Sequence, residues 1–92
     1  MIRKDIINEL KKALDVRYTW SKGYDNGTML TEYALYHNKV SRNPLAWLQI
    51  GYRTDSDEVM SSDIVHITNG ERHEMEIERI QDISEIVKKI VG

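Results

Sequence analysis

Two histidines, His66 and His73, stand where the sequence could bring them together on a metal ion. They flank Asn69-Gly70, the kind of residue pair that most favours a two-residue type I′ hairpin turn. Counting outward from that turn places the two imidazoles directly opposite each other, and a third ligand would have to be His37 or a carboxylate. The simpler interpretation is a hydrogen-bonded or solvated pair near an open hairpin end. We therefore predict no metal site.

Residue types that support catalysis are present, but their spacing matches no catalytic motif. A nucleophile needs a base and an orienting group beside it, and the chain contains no G-x-S-x-G motif, no H-E-x-x-H motif and no cysteine. The five glycines are scattered singly, so no glycine-rich loop for a phosphate is indicated. We predict a protein that is not an enzyme and that holds no cofactor.

Three alternating glutamates in the C-terminal half form the first candidate binding surface. Glu74, Glu76 and Glu78 share one face of the strand that is predicted to follow the hairpin turn. Carboxylates are not buried unpaired, so this face meets either water or a basic partner. The alternatives are a solvated face that protects a sheet edge, and an acidic surface that binds a protein by mimicking nucleic-acid phosphates.

Trp47 is the second part of that candidate surface. It lies on the strand face opposite the one formed by Leu48, Ile50 and Tyr52, so either a helix covers it or it is partly exposed. An exposed tryptophan at the centre of a sheet is a good interface anchor. We predict that Trp47 and the three glutamates bind a protein partner.

The N-terminal half offers a basic and aromatic alternative. Aromatic side chains interleaved with cations suit base stacking and phosphate contact. The residues of this alternative nucleotide or nucleic-acid site are Arg17, Lys22, Tyr24, Tyr36, Lys39 and Arg42. The neighbouring Tyr18 and Trp20 are expected in the core, and the cations are spread out, which weakens this interpretation.

The overall charge does not favour a dedicated nucleic-acid-binding protein. The 92 residues carry a net charge of −2, with eight basic against five acidic residues in 1–46 and five against ten in 47–92.

At this length we predict one domain, residues 1–92. Charged residues near the N-terminus, the lack of any long apolar run and the absence of cysteine predict a cytoplasmic protein without a membrane segment.

Hydrophobic spacing predicts a helix at each end of the chain. Apolar residues recur four apart in the first helix, at Ile2, Ile6, Leu10 and Leu14. The apolar side of the second helix consists of Ile83, Ile86, Val87 and Ile90. Asp82 and Glu85 are spaced as a capping box at its start.

Antiparallel strands are predicted between the two helices. A period of two begins at Val16 and puts Tyr18 and Trp20 on the same face, and residues 23–27 read as a turn. Residues 28–37 fit a helix or a strand, and we favour a strand because 38–44 resembles a hairpin loop. Further strands are predicted at 45–53, 64–68 and 71–80, with a polar loop at 54–58.

Two short windows resemble the small Sm-like barrel of bacterial WYL domains. Ala46-Trp47-Leu48 stands where that family has Trp-Tyr-Leu, and residues 75–80 approximate its later conserved stretch, with Glu76 replacing an arginine. The resemblance implies a regulatory sensor of a ligand or nucleic acid. The segment 54–72 is too long for the family pattern.

The predicted fold is α+β: an N-terminal helix, a four- to five-stranded antiparallel sheet and a short C-terminal helix. The sheet is expected either to form a partly open SH3-like or Sm-like barrel, or to carry both helices on one face. The predicted function is binding of another protein, as a regulator or inhibitor of the kind that phages and mobile elements encode. A sensor of nucleotides or nucleic acids is the alternative, and a homo-oligomer remains open.

Overall fold

One helix, five strands and a second helix follow each other along the chain. This order comes from a computed structural model, which describes residues 1–24 and 26–92. The elements are α1 (Arg3–Lys11), β1 (Asp15–Tyr24), β2 (Thr28–Tyr36), β3 (Ala46–Arg53), β4 (Val59–Thr68), β5 (Glu71–Glu76) and α2 (Asp82–Val91). The α+β prediction is confirmed, including the choice of a strand for β2. Neither helix of the described chain is long and apolar enough to span a bilayer.

The five strands form one antiparallel sheet in the order β1-β2-β3-β4-β5. β1 and β5 are the two edges, so the sheet stays open. Both helices pack on the same face of this sheet, which we call the helix-covered face. Its core side chains include Leu35, Ala46, Leu48, Ile50 and Ile64 from the strands and Ile6, Leu10, Ile83, Ile86 and Ile90 from the helices. Of the two predicted arrangements, the sheet with both helices on one face is the one observed.

The predicted apolar stripe of the first helix is shorter than expected. Ile6, Leu10 and Leu14 are buried, whereas Ile2 is exposed and pairs with Glu58 in an isolated β-bridge. Ile2 precedes the helix in an extended conformation, so it cannot share the helical face. Leu14 follows the last helical turn. Its backbone N–H donates a hydrogen bond to the carbonyl of Leu10 at 3.0 Å, which keeps Leu14 next to the helix.

A β-bulge in β1 overturns the predicted aromatic face. Tyr18 pairs with Tyr33, but the next pair is Trp20 with Glu32, so one extra residue is inserted between them. This insertion moves Trp20 to the face opposite Tyr18. The expectation that both belong to the core is wrong, because Tyr18 is 63% and Trp20 40% exposed.

Both predicted turns contain residues with positive φ. Asn69 and Gly70 have φ values of 53° and 79°, as a type I′ turn requires. Asn26 and Gly27 have φ values of 75° and 68° between β1 and β2. Asp25, which belongs to the same predicted turn, lies outside the described residues.

The hairpin of β4 and β5 has the predicted register. His66 faces His73, and Val65 faces Glu74. β5 ends at Glu76, four residues earlier than predicted, so Glu78 lies beyond the sheet.

The start of α2 differs from the predicted capping box. Asp82 is the first residue of the helix and not its N-cap. Its carboxylate instead accepts hydrogen bonds from the backbone N–H of Arg79 at 3.0 Å and from the Arg79 guanidinium at 3.1 Å.

Candidate functional site

The sheet face that neither helix covers carries most of the predicted binding residues, and we call it the open face. The strand register assigns side chains to it, because residues directly opposite each other on neighbouring strands share a face. Its members include Asp15, Arg17, Trp20, Lys22, Leu30, Glu32, Ala34, Tyr36, Trp47, Gln49, Arg53, Asp63, Val65, Ile67, Arg72, Glu74 and Glu76.

Trp47 lies at the middle of the open face, between two small apolar side chains. It is directly opposite Ala34 on β2 and Val65 on β4. Ala34 is only 3% exposed and Val65 only 6%, although no helix packs on this side. The half-buried indole therefore stands at the centre of a small apolar patch, on the face that its sequence position predicts.

A second row of residues crosses the whole sheet next to this apolar patch. Trp20, Glu32, Gln49, Asp63 and Glu76 are successive register partners on β1, β2, β3, β4 and β5. We call them the central row. The Glu32 carboxylate accepts hydrogen bonds from the Trp20 indole at 3.1 Å and from the Gln49 amide at 3.3 Å. Three carboxylates thus lie in one line, and the other two members of the row, Trp20 and Gln49, are neutral hydrogen-bond donors.

Asp63 is a partly buried acid of the central row whose pKa is raised. Burial raises its pKa above the ordinary value, and the negative charge of Glu74 raises it further. Within residues 1–24 and 26–92, neither Asp63 nor Glu76 forms an ion pair with a basic side chain. The middle of the open face is therefore acidic and is not neutralised by ion pairs with the described residues.

The structure brings together two of the three predicted glutamates. Glu74 lies on the open face opposite Val65, and Arg72 approaches it to 3.5 Å. Glu76 is opposite Asp63. Glu78 is exposed but follows the end of β5, so it is not part of the same strand face.

Arg17 and Tyr36, two members of the basic alternative, hold a loop in place. The Arg17 guanidinium lies 3.6 Å from the centre of the Tyr36 ring and 2.6 Å from the Asp15 carboxylate. It also donates hydrogen bonds to three carbonyls of the loop between β2 and β3, those of Asn38, Lys39 and Ser41. Its Nε and Nη2 donors are thus already used within the fold.

The remaining members of the basic alternative lie far apart. Lys22 is 5.8 Å from the centre of the Tyr24 ring, at the other end of β1. At about 3.3 Å per residue, Lys22 and Arg17 are separated by about 16 Å along the strand. Lys39 and Arg42 are exposed in the loop between β2 and β3. The structure does not bring the six residues together.

The predicted histidine pair forms on the helix-covered face. The ring centres of His66 and His73 are 5.4 Å apart, and His66 Nε2 lies 2.6 Å from the hydroxyl of Thr68. Glu71 approaches His73 only to 3.9 Å. In the described part of the chain, no three histidine or carboxylate side chains are grouped as metal ligands.

The sequence-based prediction missed Trp20, Glu32 and Asp63 as site residues. For Glu32, the alternation in β2 was a usable signal, since it places this charge on the strand face opposite to that of the apolar Tyr33 and Leu35.

Comparisons with protein-family models, with curated proteins and with solved structures find no match to this chain.

Proposed function

We propose that this chain is a cytoplasmic, non-enzymatic binding domain that regulates or inhibits a protein docked on its open face. Trp20 and Trp47 would supply the apolar contact, and Glu32, Asp63 and the pair Glu74 and Glu76 the surrounding charge. This arrangement resembles known interfaces, in which aromatic anchors carry most of the affinity and a polar rim sets partner choice.

The observation that carries this proposal is the exposure of Trp20 on the open face. The bulge in β1 turns this indole away from the helices and leaves it 40% exposed. It is hydrogen-bonded to Glu32 and therefore oriented, so a partner would pay little entropy to order it. Large aromatic side chains that are fixed and exposed are favoured as interface anchors.

Binding of nucleotides or nucleic acids is less well supported. Arg17 is committed to loop carbonyls. Lys22 lies on β1 beside the central row, whose carboxylates on β2, β4 and β5 would repel phosphates. The observation in its favour is the neighbouring Lys22 and Tyr24 pair at one end of β1.

Affinity capture with two matched aromatic variants tests the proposal. Trp20 and Tyr18 are both exposed aromatic residues of β1, but they point to opposite faces of the sheet. The immobilised wild-type protein and each alanine variant are exposed to a lysate of the source cell, and retained proteins are quantified by mass spectrometry. We expect Tyr18→Ala to keep the partner and Trp20→Ala to weaken retention at least about tenfold, or about 1.4 kcal/mol.

Two results would contradict the proposal. If Trp20→Ala retains the same proteins as the wild type, the open face is not the binding site. If nuclease treatment of the lysate abolishes all retention, the captured molecule is held through nucleic acid and the alternative function is correct.

A further inference from the structure

We infer that the partner presents a cationic segment, rich in arginine, to the central row of the open face. This inference rests on the proposed function and specifies the chemistry of the partner. It starts from the charges that the fold leaves uncompensated on a sheet face that no helix covers.

The acidic residues of the central row are aligned by the strand register. Glu32, Asp63 and Glu76 lie on β2, β4 and β5 and are connected through Gln49 on β3. With neighbouring strands about 4.8 Å apart, the row places carboxylates about 10 Å and 5 Å from each other along one line. A segment that crosses the strands would meet all three.

The described basic residues of the open face form no ion pair with the carboxylates of this row, and most of them are paired with other acids at its margins. Arg17 is 2.6 Å from Asp15, Arg53 is 3.2 Å from Asp55, and Arg72 is 3.5 Å from Glu74. Lys22 lies on edge strand β1, opposite the apolar Leu30. Among the described residues, none forms an ion pair with Glu32, Asp63 or Glu76, so ions or a partner would supply the compensating charge.

Arginine fits this row better than lysine. A guanidinium can stack on the exposed face of an indole while it donates two parallel hydrogen bonds to a carboxylate. Trp20 and Glu32 are next to each other and already connected by a 3.1 Å hydrogen bond, so one arginine could contact both. A lysine ammonium would supply the charge but not the planar stacking.

Other occupants of the same face are less compatible with its charge. A second copy of the chain that docked face to face about the sheet centre would bring two rows of carboxylates together. Nucleic acid would bring phosphates to the same carboxylates. Both arrangements place like charges in a partly desolvated interface, which is unfavourable.

Three short peptides that differ only in one residue type test the inference. The peptides alternate alanine with arginine, lysine or glutamate, and each is titrated into the 15N-labelled full chain while amide and indole resonances are followed. We expect the arginine peptide to shift the amides of Glu32, Gln49 and Asp63 and the indole of Trp20. The lysine peptide should bind more weakly, the glutamate peptide should not bind, and added salt should weaken both cationic peptides.

A charge-matched pair of variants separates a specific site from general attraction. Glu32→Gln with Asp63→Asn removes two charges from the central row, whereas Glu71→Gln with Glu85→Gln removes two exposed charges elsewhere. The first double variant should weaken arginine-peptide binding roughly tenfold, and the second should leave it nearly unchanged. Equal weakening by both variants, or no shift in the central row with any peptide, would overturn the inference.

The inference and the proposed function can fail separately. If Trp20→Ala loses the captured partner but the central-row double variant retains it, the open face binds a partner that is not cationic. If the protein alone forms a dimer that Trp20→Ala abolishes in analytical ultracentrifugation, the occupant is a second copy. Each result contradicts the cationic segment and leaves the open face as a binding surface.

Discussion

The indole N–H of Trp20 donates a hydrogen bond to Glu32 Oε1 at 3.1 Å, and the two residues are directly opposite across β1 and β2. This pairing exists because β1 carries one extra residue after Tyr18. In a regular strand Trp20 would share the face of Tyr18, on the side of the helices. A single inserted residue thus gives the open face its exposed tryptophan.

Glu32→Ala should change the environment of the Trp20 indole and leave that of the Trp47 indole unchanged. The indole proton of Trp20 loses its acceptor, so its NMR resonance should move upfield while that of Trp47 stays near its original position. The unfolding free energy should fall by about 1 kcal/mol or less, because the bond is partly exposed to water. If neither indole resonance moves, the hydrogen bond is absent in solution.

Gly70→Ala should destabilise the β4–β5 hairpin through the backbone alone. Gly70 has a φ of 79° and no atom within 4 Å of an added Cβ, so strain and not collision sets the cost, roughly 1–2 kcal/mol. Gly23→Ala is the matched control, since its Cβ would also meet nothing within 4 Å and its φ is not positive. The control should be neutral or stabilising by up to about 1 kcal/mol. Urea denaturation of both variants measures this difference.

Asp63→Asn should stabilise the protein at neutral pH. Burial, with the charge of Glu74, raises the pKa of Asp63, so the folded state binds this proton more tightly than the unfolded state. The free energy of unfolding therefore decreases as the pH rises from the pKa of Asp63 in the unfolded state to its higher pKa in the folded state. Above the folded-state pKa, the ionised Asp63 continues to destabilise the fold. We expect a gain below about 1 kcal/mol at pH 7 that disappears below about pH 4.

Asp55→Asn provides the control of opposite sign. The hydrogen bond from Arg53 lowers the pKa of Asp55, so its stabilising contribution is present at neutral pH and is lost as pH falls through the lowered pKa. Denaturant curves at neutral pH should therefore show a higher free energy of unfolding than the wild type for Asp63→Asn and a lower one for Asp55→Asn. Both differences should shrink at acidic pH. The same sign for both would contradict the assigned environment of Asp63.

Arg17→Lys should loosen the loop between β2 and β3. The lysine keeps the charge but cannot both stack on Tyr36 and donate to the carbonyls of Asn38, Lys39 and Ser41. We expect faster amide hydrogen exchange in residues 38–45 and a decrease in the free energy of unfolding on the order of 1–2 kcal/mol. Lys22→Arg, on the same strand, should leave exchange in this loop unchanged.

Leu10→Ala tests the contact between α1 and the sheet. Leu10 is fully buried in the core, so its truncation should cost about 2–5 kcal/mol in unfolding free energy. Lys11→Ala, one residue later on the exposed side, should change stability by less than about 0.5 kcal/mol. A small effect for Leu10→Ala would mean that this face of α1 is solvated in solution.

The sequence by itself determined the features that depend on a few neighbouring residues. Asn69 and Gly70 tolerate positive φ at low cost, so they fixed the turn and, through it, the pairing of His66 with His73. The period of apolar residues located both helices and β3, whereas β2 fitted a helix or a strand and was assigned through the hairpin loop predicted at 38–44. It also put Trp47 on the face opposite Leu48, since side chains alternate along any regular strand.

Only the tertiary structure decided which face carries Trp20, which carbonyls Arg17 binds and where the strands end. The bulge in β1 depends on pairing with β2, and the loop carbonyls that hold Arg17 come from more than twenty residues away, so no local pattern encodes either. Glu78 continued the alternation of β5, yet the strand ends at Glu76, before the chain turns into α2. The central row likewise forms only when five separate strands align. Long-range register, set by packing both helices on one face, therefore determines the candidate binding surface.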